Sequence, residues 1–395
     1  MRVVASLGTR PEAIKLAPVV LAARKAPELE VLLLSTGQHR TVQQDVLDLF
    51  GLEPDLHADV MKLGQSLAAL SARCLRELEP ILAEAKPDVL LVQGDTSSAA
   101  MAALCGFYAG IPVCHVEAGL RTSTPHLPFP EEMNRRLIGR LASFHFAPTA
   151  AARENLLREG VGDDQILVTG NTGIDALLAV RDLGRPIENP RLARFLDGDG
   201  PVLVVTIHRR ENWGRGVREV AAAVHELVTR LPELRAVYAA HPNPAVRADV
   251  EAELRGHERA LVADPLGYGD FVQLLAGASV IVTDSGGIQE EAPSLGVPVL
   301  VARDETERIE GLRAGLTTLV GTDRALIVRK AAALLRGADA LARVEARENP
   351  YGDGRAAGRI VNVLRSWVSA GGARAAVPTA RVAAADPAAM VQTLR

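Results

Sequence analysis

The sequence predicts an α/β protein made of two Rossmann-like domains that face each other across a cleft. Three observations carry that prediction. Short, nearly continuous apolar runs alternate with longer helical stretches, as expected for parallel strands covered by helices on both faces. The alternation stops at one charged stretch rich in Pro and Gly, RDLGRPIENPRLARFLDGDG, and then restarts. The chain also has 395 residues, 48% of them hydrophobic and 23% charged. That is more than one ordinary core can use, since cores stop growing near ~250–300 residues.

Each element follows from local pattern. RVVASLG from Arg2 reads as a strand, and PEAIKLAPVVLAAR from Pro11 as a helix with proline in its first turn, where a missing N–H costs nothing. VLLLST from Val31 is the next strand, and a long helix runs from Ser66 to Glu84. DVLLVQGD from Asp88, IPVCHVE from Ile111 and FHFAPT from Phe144 are further strands, giving a first domain over 1–180 and a linker over 181–200. The second domain, 201–352, opens with the strand PVLVVTIH and the helix GVREVAAAVHELVTRL. LRAVYAAHPNP ends a strand in a turn, and RALVADPL, SVIVTDSGG and GVPVLVAR are three more strands. A final helix over 353–369 is a candidate to pack back on the first domain, and 370–395 reads as a flexible tail.

Composition excludes several functions. Lys and Arg total 44 against 48 Asp and Glu, a net charge of -4, and aromatics are only 3%. A nucleic-acid-coating protein would carry a basic stripe and stacking platforms. No run reaches the ~18–20 apolar residues of a membrane span. Met1–Leu7 is too short for a signal-peptide core before Arg10, Glu12 and Lys15, so a cytoplasmic protein is expected. Cys74, Cys105 and Cys114 make neither a disulfide framework nor a CxxC site. His39, His57, His115, His126 and His145 are scattered without metal-ligand spacing. GxxxxGK[ST], GxGxxG and GxSxG are all missing from the sequence.

Ligands in open α/β sheets bind beyond the carboxyl ends of the strands, so polar residues there are the candidates. The first strand ends in SLGTRPEAIK, where Gly8 turns the chain and Arg10 and Lys15 suit a phosphate or carboxylate. Asp95 follows the strand at Asp88, where, taken alone, a helix cap is the better explanation of it. Glu117 follows the strand at Ile111; a carboxylate there must be paired or used, and Arg121 is a ready partner. In PHLPFPEEMNRR, prolines 125, 128 and 130 stiffen the approach to Glu131 and Glu132. The helix dipole explains their type; the rigid approach suggests that one of them is aimed into the cleft. His208 in TIHRREN and His241 in HPNP end strands of the second domain. The strongest local signal is VTDSGGIQEEAPSLG from Val282, where Ser285, Gly286 and Gly287 turn directly into a helix. Free N–H groups there can hold a diphosphate, and Glu291 one turn on can accept from a ribose diol. Arg308 in RDETER is a further phosphate contact.

Together these segments resemble the non-hydrolysing UDP-N-acetylglucosamine 2-epimerases of bacteria. The resemblance runs from Arg2 to about Leu364. It is carried by GTRPEAIK, TGQH at Thr36, QGDT at Gln93, HVEAGLRT at His115, PFPEEMNRR at Pro128, TGNTGIDAL at Thr169, TIHRREN, HPNP and TDSGGIQEEAPSLGVPVL, all in the same order. It implies the glycosyltransferase type B arrangement, a cytoplasmic homodimer and no external redox cofactor. The implied reaction interconverts UDP-GlcNAc and UDP-ManNAc in supply of cell-envelope polysaccharide. The implied route is anti elimination of UDP to 2-acetamidoglucal and re-addition to the other face. It makes Asp95, Glu117, Glu131 and His208 catalytic. It makes Arg10, Lys15, His241, Phe271, Ser285, Gly286, Gly287, Glu291 and Arg308 UDP-sugar contacts, with Phe271 beside the uracil. Gln38, His39 and Gln65 resemble part of an allosteric UDP-GlcNAc region of some members, although an arginine seen there is Gly64 here. The loop at 123–127 and Ile309 also depart from the usual pattern. Three readings compete: a retaining UDP-sugar glycosyltransferase, a hydrolytic epimerase releasing UDP and free ManNAc, and a non-catalytic UDP-sugar-binding protein.

Overall fold

Two all-parallel sheets organise the chain, and each reverses its strand order at one point. The computed structural model describes residues 1–37, 40–337 and 347–371, with the backbone alone at 40–43. Gln38, His39 and the tail expected beyond Gly371 lie outside the described residues. The first sheet contains β1 (Arg2–Leu7), β2 (Glu30–Ser35), β3 (Leu56–His57), β4 (Val89–Gln93), β5 (Val113–Val116), β6 (Phe144–Ala147) and β7 (Ile166–Val168), in the order β3-β2-β1-β4-β5-β6-β7. The second contains β8 (Val202–Thr206), β9 (Arg235–Ala239), β10 (Ala260–Ala263), β11 (Val280–Thr283), β12 (Val299–Val301) and β13 (Thr317–Leu319), in the order β10-β9-β8-β11-β12-β13. These are two Rossmann-like units, as the alternating pattern predicts.

Every residue of β4 and β8 is buried, which explains why these strands read as continuous apolar runs rather than alternating ones. The order reverses between β1 and β4 in one sheet and between β8 and β11 in the other. Connections leave in opposite directions at such a point and open a crevice beyond the strand ends. Arg10 and Asp95 follow β1 and β4; His208 and Ser285 follow β8 and β11. The topology therefore selects the strand ends that the motifs mark.

The segment 181–200 contains a helix, Pro190–Leu196, capped by the Asn189 side chain, which accepts from Arg191 N and Leu192 N. Leu192 is buried against Val202, Val204 and Val237 of the second core. The strands β3, β7 and β13 have two or three residues each, too few to show a period. After the second sheet the chain returns to the first. The helix Ala356–Ser369 buries Ile360, Leu364 and Trp367 in the first core, with the Trp367 ring edge-on to Phe144 at 5.3 Å. The Asp175 carboxylate accepts from Ala356 N at 3.2 Å and Ala357 N at 2.8 Å, doing for this helix what its own N-cap does not. At the crossing, a side chain on Gly170 would stand 3.1 Å from the Gly352 α-carbon, so glycine permits the approach. No helix among the described residues is long and apolar enough to cross a membrane.

Candidate active site

Glu117 sits one residue past β5 with φ at 66°. This left-handed conformation costs a side chain roughly 1–2 kcal/mol, and such strain gathers at functional positions. Only 9% of its side chain is exposed. Lys15 Nζ lies 2.5 Å from Oε1, and the Gln93 amide donates to Oε2. Burial works against the Glu117 charge, but Lys15, with Arg308 and Arg135 further off, holds its pKa below the usual carboxylate value. Burial likewise opposes the Lys15 charge, and Glu117, Glu290 and Asp95 outweigh it.

The pairing of Glu117 with Arg121 expected from the sequence does not form. The chain turns at Gly119, φ 88°, where a side chain would stand 2.2 Å from Ala152 O. Past that turn Arg121 meets Glu159, through Nε at 2.7 Å and Nη2 at 2.8 Å.

Asp95 is not the cap of the following helix. Thr96 has that role, its side chain accepting from Ala99 N at 3.0 Å. Asp95 is left facing the cleft, where Arg135 donates to Oδ2 from Nε at 2.8 Å and approaches the same oxygen with Nη2 at 2.7 Å. Burial raises the Asp95 pKa, Arg135 opposes it, and the Glu117 charge adds to the rise. Of the two acids opening the helix Glu131–Leu141, half-buried Glu131 lines the cleft. Glu132 is wholly buried and pairs with Arg135 and Arg136.

The loop after β1 is held by Glu12. Its carboxylate accepts from Gly8 N at 3.0 Å, Thr9 N at 2.7 Å and the Thr96 hydroxyl at 2.8 Å, tying the Arg10 loop to the Asp95 loop. Arg10 Nη2 reaches Leu266 O of the second unit at 3.2 Å, while its buried Nε has no hydrogen-bond partner among the described residues. From the other side comes Arg308. Its Nε lies 2.8 Å from Glu290 Oε1, and Glu290 Oε2 accepts from Asn171 Nδ2 at 2.5 Å. A buried carboxylate thus joins an arginine of one unit to an asparagine of the other.

The resulting cleft, about 540 Å³, is lined by Arg10, Lys15, Asp95, Glu117, Glu131 and Arg308, with Arg135 beside them. The remaining candidates are not in that lining. Ser285 precedes a six-residue helix, Gly286–Glu291, and makes no side-chain cap bond. The Arg308 guanidinium lies over Gly286, where a β-carbon would meet it at 2.8 Å, whereas nothing approaches the corresponding point on Gly287 within 3.8 Å. Glu291 is half-buried, and its pKa is pushed up to about 8 by burial, with Lys15 opposing and Glu290 and Glu117 adding. Phe271 is half-buried on the second core.

The His208 ring is exposed and stands 5.6 Å from the His241 ring. Desolvation by the surrounding protein lowers its pKa, Asp284 opposing and His241 adding. Gln65 turns back on its own loop, donating to Val60 O at 3.0 Å. No group of three or more His, Cys, Asp or Glu among the described residues could hold a metal ion.

Sequence reasoning passed over Gln93, Asn171, Glu290, Asp284 and Arg135. Asp284, wholly buried, accepts from His208 N at 2.9 Å, Arg209 N at 2.9 Å and Asn212 Nδ2 at 2.8 Å. Its place directly before Ser285 at a strand end was the available signal. Arg135, one turn after Glu131, was also open to view.

Paired Rossmann-like units with carboxylates and cations set into the crevice between them define a class of α/β enzyme that handles anionic ligands. A family model described as UDP-N-acetylglucosamine 2-epimerase matches residues 21–365. The chain is 48% identical over 371 residues to the UDP-N-acetylglucosamine 2-epimerase of Escherichia coli K12, covering 93% of this chain and 99% of that protein. A crystal structure of a putative UDP-N-acetylglucosamine 2-epimerase from Listeria monocytogenes superposes with a TM-score of 0.86 at 43% identity, over 93% of this chain and 96% of that one. The UDP-GlcNAc 2-epimerase of Neisseria meningitidis, solved bound to UDP-GlcNAc, gives 0.82 at 39% identity, over 93% and 100%. The chain belongs to the UDP-N-acetylglucosamine 2-epimerase family.

Proposed function

We propose that the protein interconverts UDP-GlcNAc and UDP-ManNAc by epimerisation at C2, without net hydrolysis and without an added redox cofactor or metal. The single observation that carries this is the convergence of Asp95, Glu117 and Glu131 with Arg10, Lys15 and Arg308 in one cleft. Inverting one carbon requires proton removal on one face and delivery on the other, hence more than one carboxylate. An anionic leaving group calls for cations.

In the forward direction a carboxylate takes the C2 proton. The C2–H electron pair forms the C1–C2 double bond, and the C1–O bond breaks with its pair leaving on UDP. A protonated carboxyl then returns a proton to the opposite face of C2 while UDP oxygen re-adds at C1, so atoms and electrons balance. Opposite pKa directions at Glu117 and Asp95 support a division into charged and protonatable partners. Ser285, Gly286, Gly287, Glu291, Phe271, His241 and Lys15 are assigned to the nucleotide-sugar, and His208 to the departing diphosphate. All of these except Lys15 lie outside the cleft lining, which fits a glycosyltransferase type B arrangement in which the domains, 1–180 and 201–352, close on the ligand.

The homodimer belongs to the same reading. Phe107 and Tyr108 at the end of the helix Ser97–Tyr108, and Met133 and Leu137 on the adjoining helix, are exposed apolar side chains suited to a second copy of the chain. A cytoplasmic location suits a nucleotide-sugar substrate. Activation by UDP-GlcNAc through Gln38, His39 and Gln65 is part of the proposal, and trace UDP-GlcNAc accelerating turnover of UDP-ManNAc would support it.

Incubation with UDP-GlcNAc in deuterated water, followed by proton NMR, tests the function. The expected result is the manno isomer with deuterium at C2 and UDP-sugar conserved. Unchanged ligand, acceptor-dependent transfer, or free sugar with stoichiometric UDP would each overturn it.

A further inference from the structure

We infer that Arg135 is the positioning residue of Asp95, and that the helix Glu131–Leu141 holds Asp95 and Glu131 in one fixed register for proton transfer. The inference deepens the epimerase reading and rests on it.

The clamp is one-sided. Arg135 Nε and Nη2 both converge on Asp95 Oδ2, at 2.8 and 2.7 Å. Among the described residues Oδ1 accepts no hydrogen bond, and both Asp95 and Arg135 line the cleft. One oxygen is therefore anchored by two charge-assisted contacts and the other is left for a proton. Glu117 is arranged differently, since Lys15 occupies Oε1 and Gln93 occupies Oε2. Of these two carboxylates, Asp95 is the one built to gain and lose a proton at an unoccupied atom.

The rest of the EEMNRR segment supports the clamp. Asn134 Nδ2 donates to the Asp95 backbone carbonyl at 2.8 Å, fixing the loop as well as the side chain. Glu132, wholly buried, takes Arg135 Nη1 on Oε2 at 3.1 Å, which stops the guanidinium from swinging away. Arg136 Nε at 2.9 Å balances the other Glu132 oxygen. Glu131 opens the same helix, so the backbone that presents Glu131 also carries the groups that aim Asp95. A planar guanidinium held on two edges suits this task; an ammonium, a point charge without a fork, does not.

The test compares wild type, Arg135→Lys and Arg135→Met by kcat, KM for UDP-GlcNAc, pH profile and melting temperature. Arg135→Met should lower kcat about 100-fold, the usual cost of a misplaced catalytic group, with KM within about threefold. Loss of the neighbouring cation should raise the Asp95 pKa and move to higher pH the limb of the profile that Asp95 sets. Arg135→Lys should fall between the two. Millimolar guanidinium, too dilute to denature, should restore part of the kcat of Arg135→Met. Three results would overturn the inference. The first is a kcat within threefold of wild type. The second is a raised KM at unchanged kcat, which would make Arg135 a substrate contact. The third is a loss of kcat that follows melting temperature with no pH shift and no rescue.

A wild type that leaves UDP-GlcNAc unchanged counts against the epimerase reading alone. The clamp is then read from the Asp95 carboxyl carbon shift during an NMR titration. An upward move of its pKa in Arg135→Met supports the clamp, and an unchanged titration rejects it.

Discussion

Glu291 shows how far one side chain's surroundings can move its chemistry. Burial, with Lys15 opposing and the Glu290 and Glu117 charges adding, pushes its carboxyl pKa from 4.5 up to about 8. Across that window the folded chain binds one more proton than the unfolded chain. Stability should therefore fall as pH rises from about 4.5 to about 8, by about 1.4 kcal/mol per pH unit from this group. Above 8 the contribution should be flat. Urea unfolding of wild type and Glu291→Gln across this range checks it: the variant should lose that slope, and parallel curves would reject the assignment. Glu117 has the opposite sign. Its pKa is lowered in the fold, so its contribution is present above the ordinary carboxylate range and disappears as pH falls through the folded value. Burial opposes both charges and both lie near the same lysine; Glu117 also accepts its hydrogen bond and feels Arg308 and Arg135, whereas Glu291 faces Glu290 and Glu117.

At the scale of the element, the turn from β11 into the helix Gly286–Glu291 is shaped by a neighbour as much as by its own glycines. Gly286 is not in a left-handed conformation; it is small because the Arg308 guanidinium rests on it. Gly286→Ala should therefore leave the backbone intact and displace Arg308 from Glu290. The expected outcome is UDP affinity about tenfold weaker, roughly 1.4 kcal/mol, with melting temperature nearly unchanged. Calorimetric titration with UDP beside a thermal melt reads both. Unaltered affinity would show that Arg308 has no part in holding the nucleotide. The helix Ser97–Tyr108 makes a related point, because Thr96 takes the cap and leaves Asp95 to the cleft.

Across the whole molecule, polar joints link the two sheets beside an apolar contact, in which Tyr268 and Val272 of the second unit enter the first core. Glu290 connects Arg308 to Asn171. Asn349 donates to Glu290 O at 2.8 Å and to Ser294 Oγ at 2.7 Å. Tyr351 O accepts from Asn171 N at 2.7 Å, and the Tyr351 hydroxyl accepts from Gly311 N at 3.0 Å. The chain then enters its last helix, whose first N–H groups Asp175 receives. Asp175→Ala should destabilise the protein by about 1–2 kcal/mol, as loss of a helix cap does. Amide exchange should speed up over 356–369 before it does in the first sheet. Uniform exchange in variant and wild type would mean that apolar packing of Ile360, Leu364 and Trp367 holds the helix unaided.

Much of this architecture is legible in the residue order. The long strands, the restart after the linker and the polar residues at β1, β4, β8 and β11 follow from periodicity and turn chemistry, which are local properties. The resemblance carried by the ordered motif set marks Arg10, Lys15, Asp95, Glu117, Glu131 and Arg308 as candidates. Other features depend on strand order and on distances through space. Arg135 and Asp95 are 40 residues apart and meet because β4 and β5 are neighbours. Lys15 and Glu117 are 102 apart, and their contact displaced the nearer pairing with Arg121. The helix Pro190–Leu196 formed in a stretch without apolar periodicity because Leu192 had a core to enter. Residue order is enough to say what kind of groups stand at each strand end. Which of them touch, and which carboxylate oxygen stays free, follows only from the folded arrangement, because hydrogen bonds and desolvation act across space rather than along the chain.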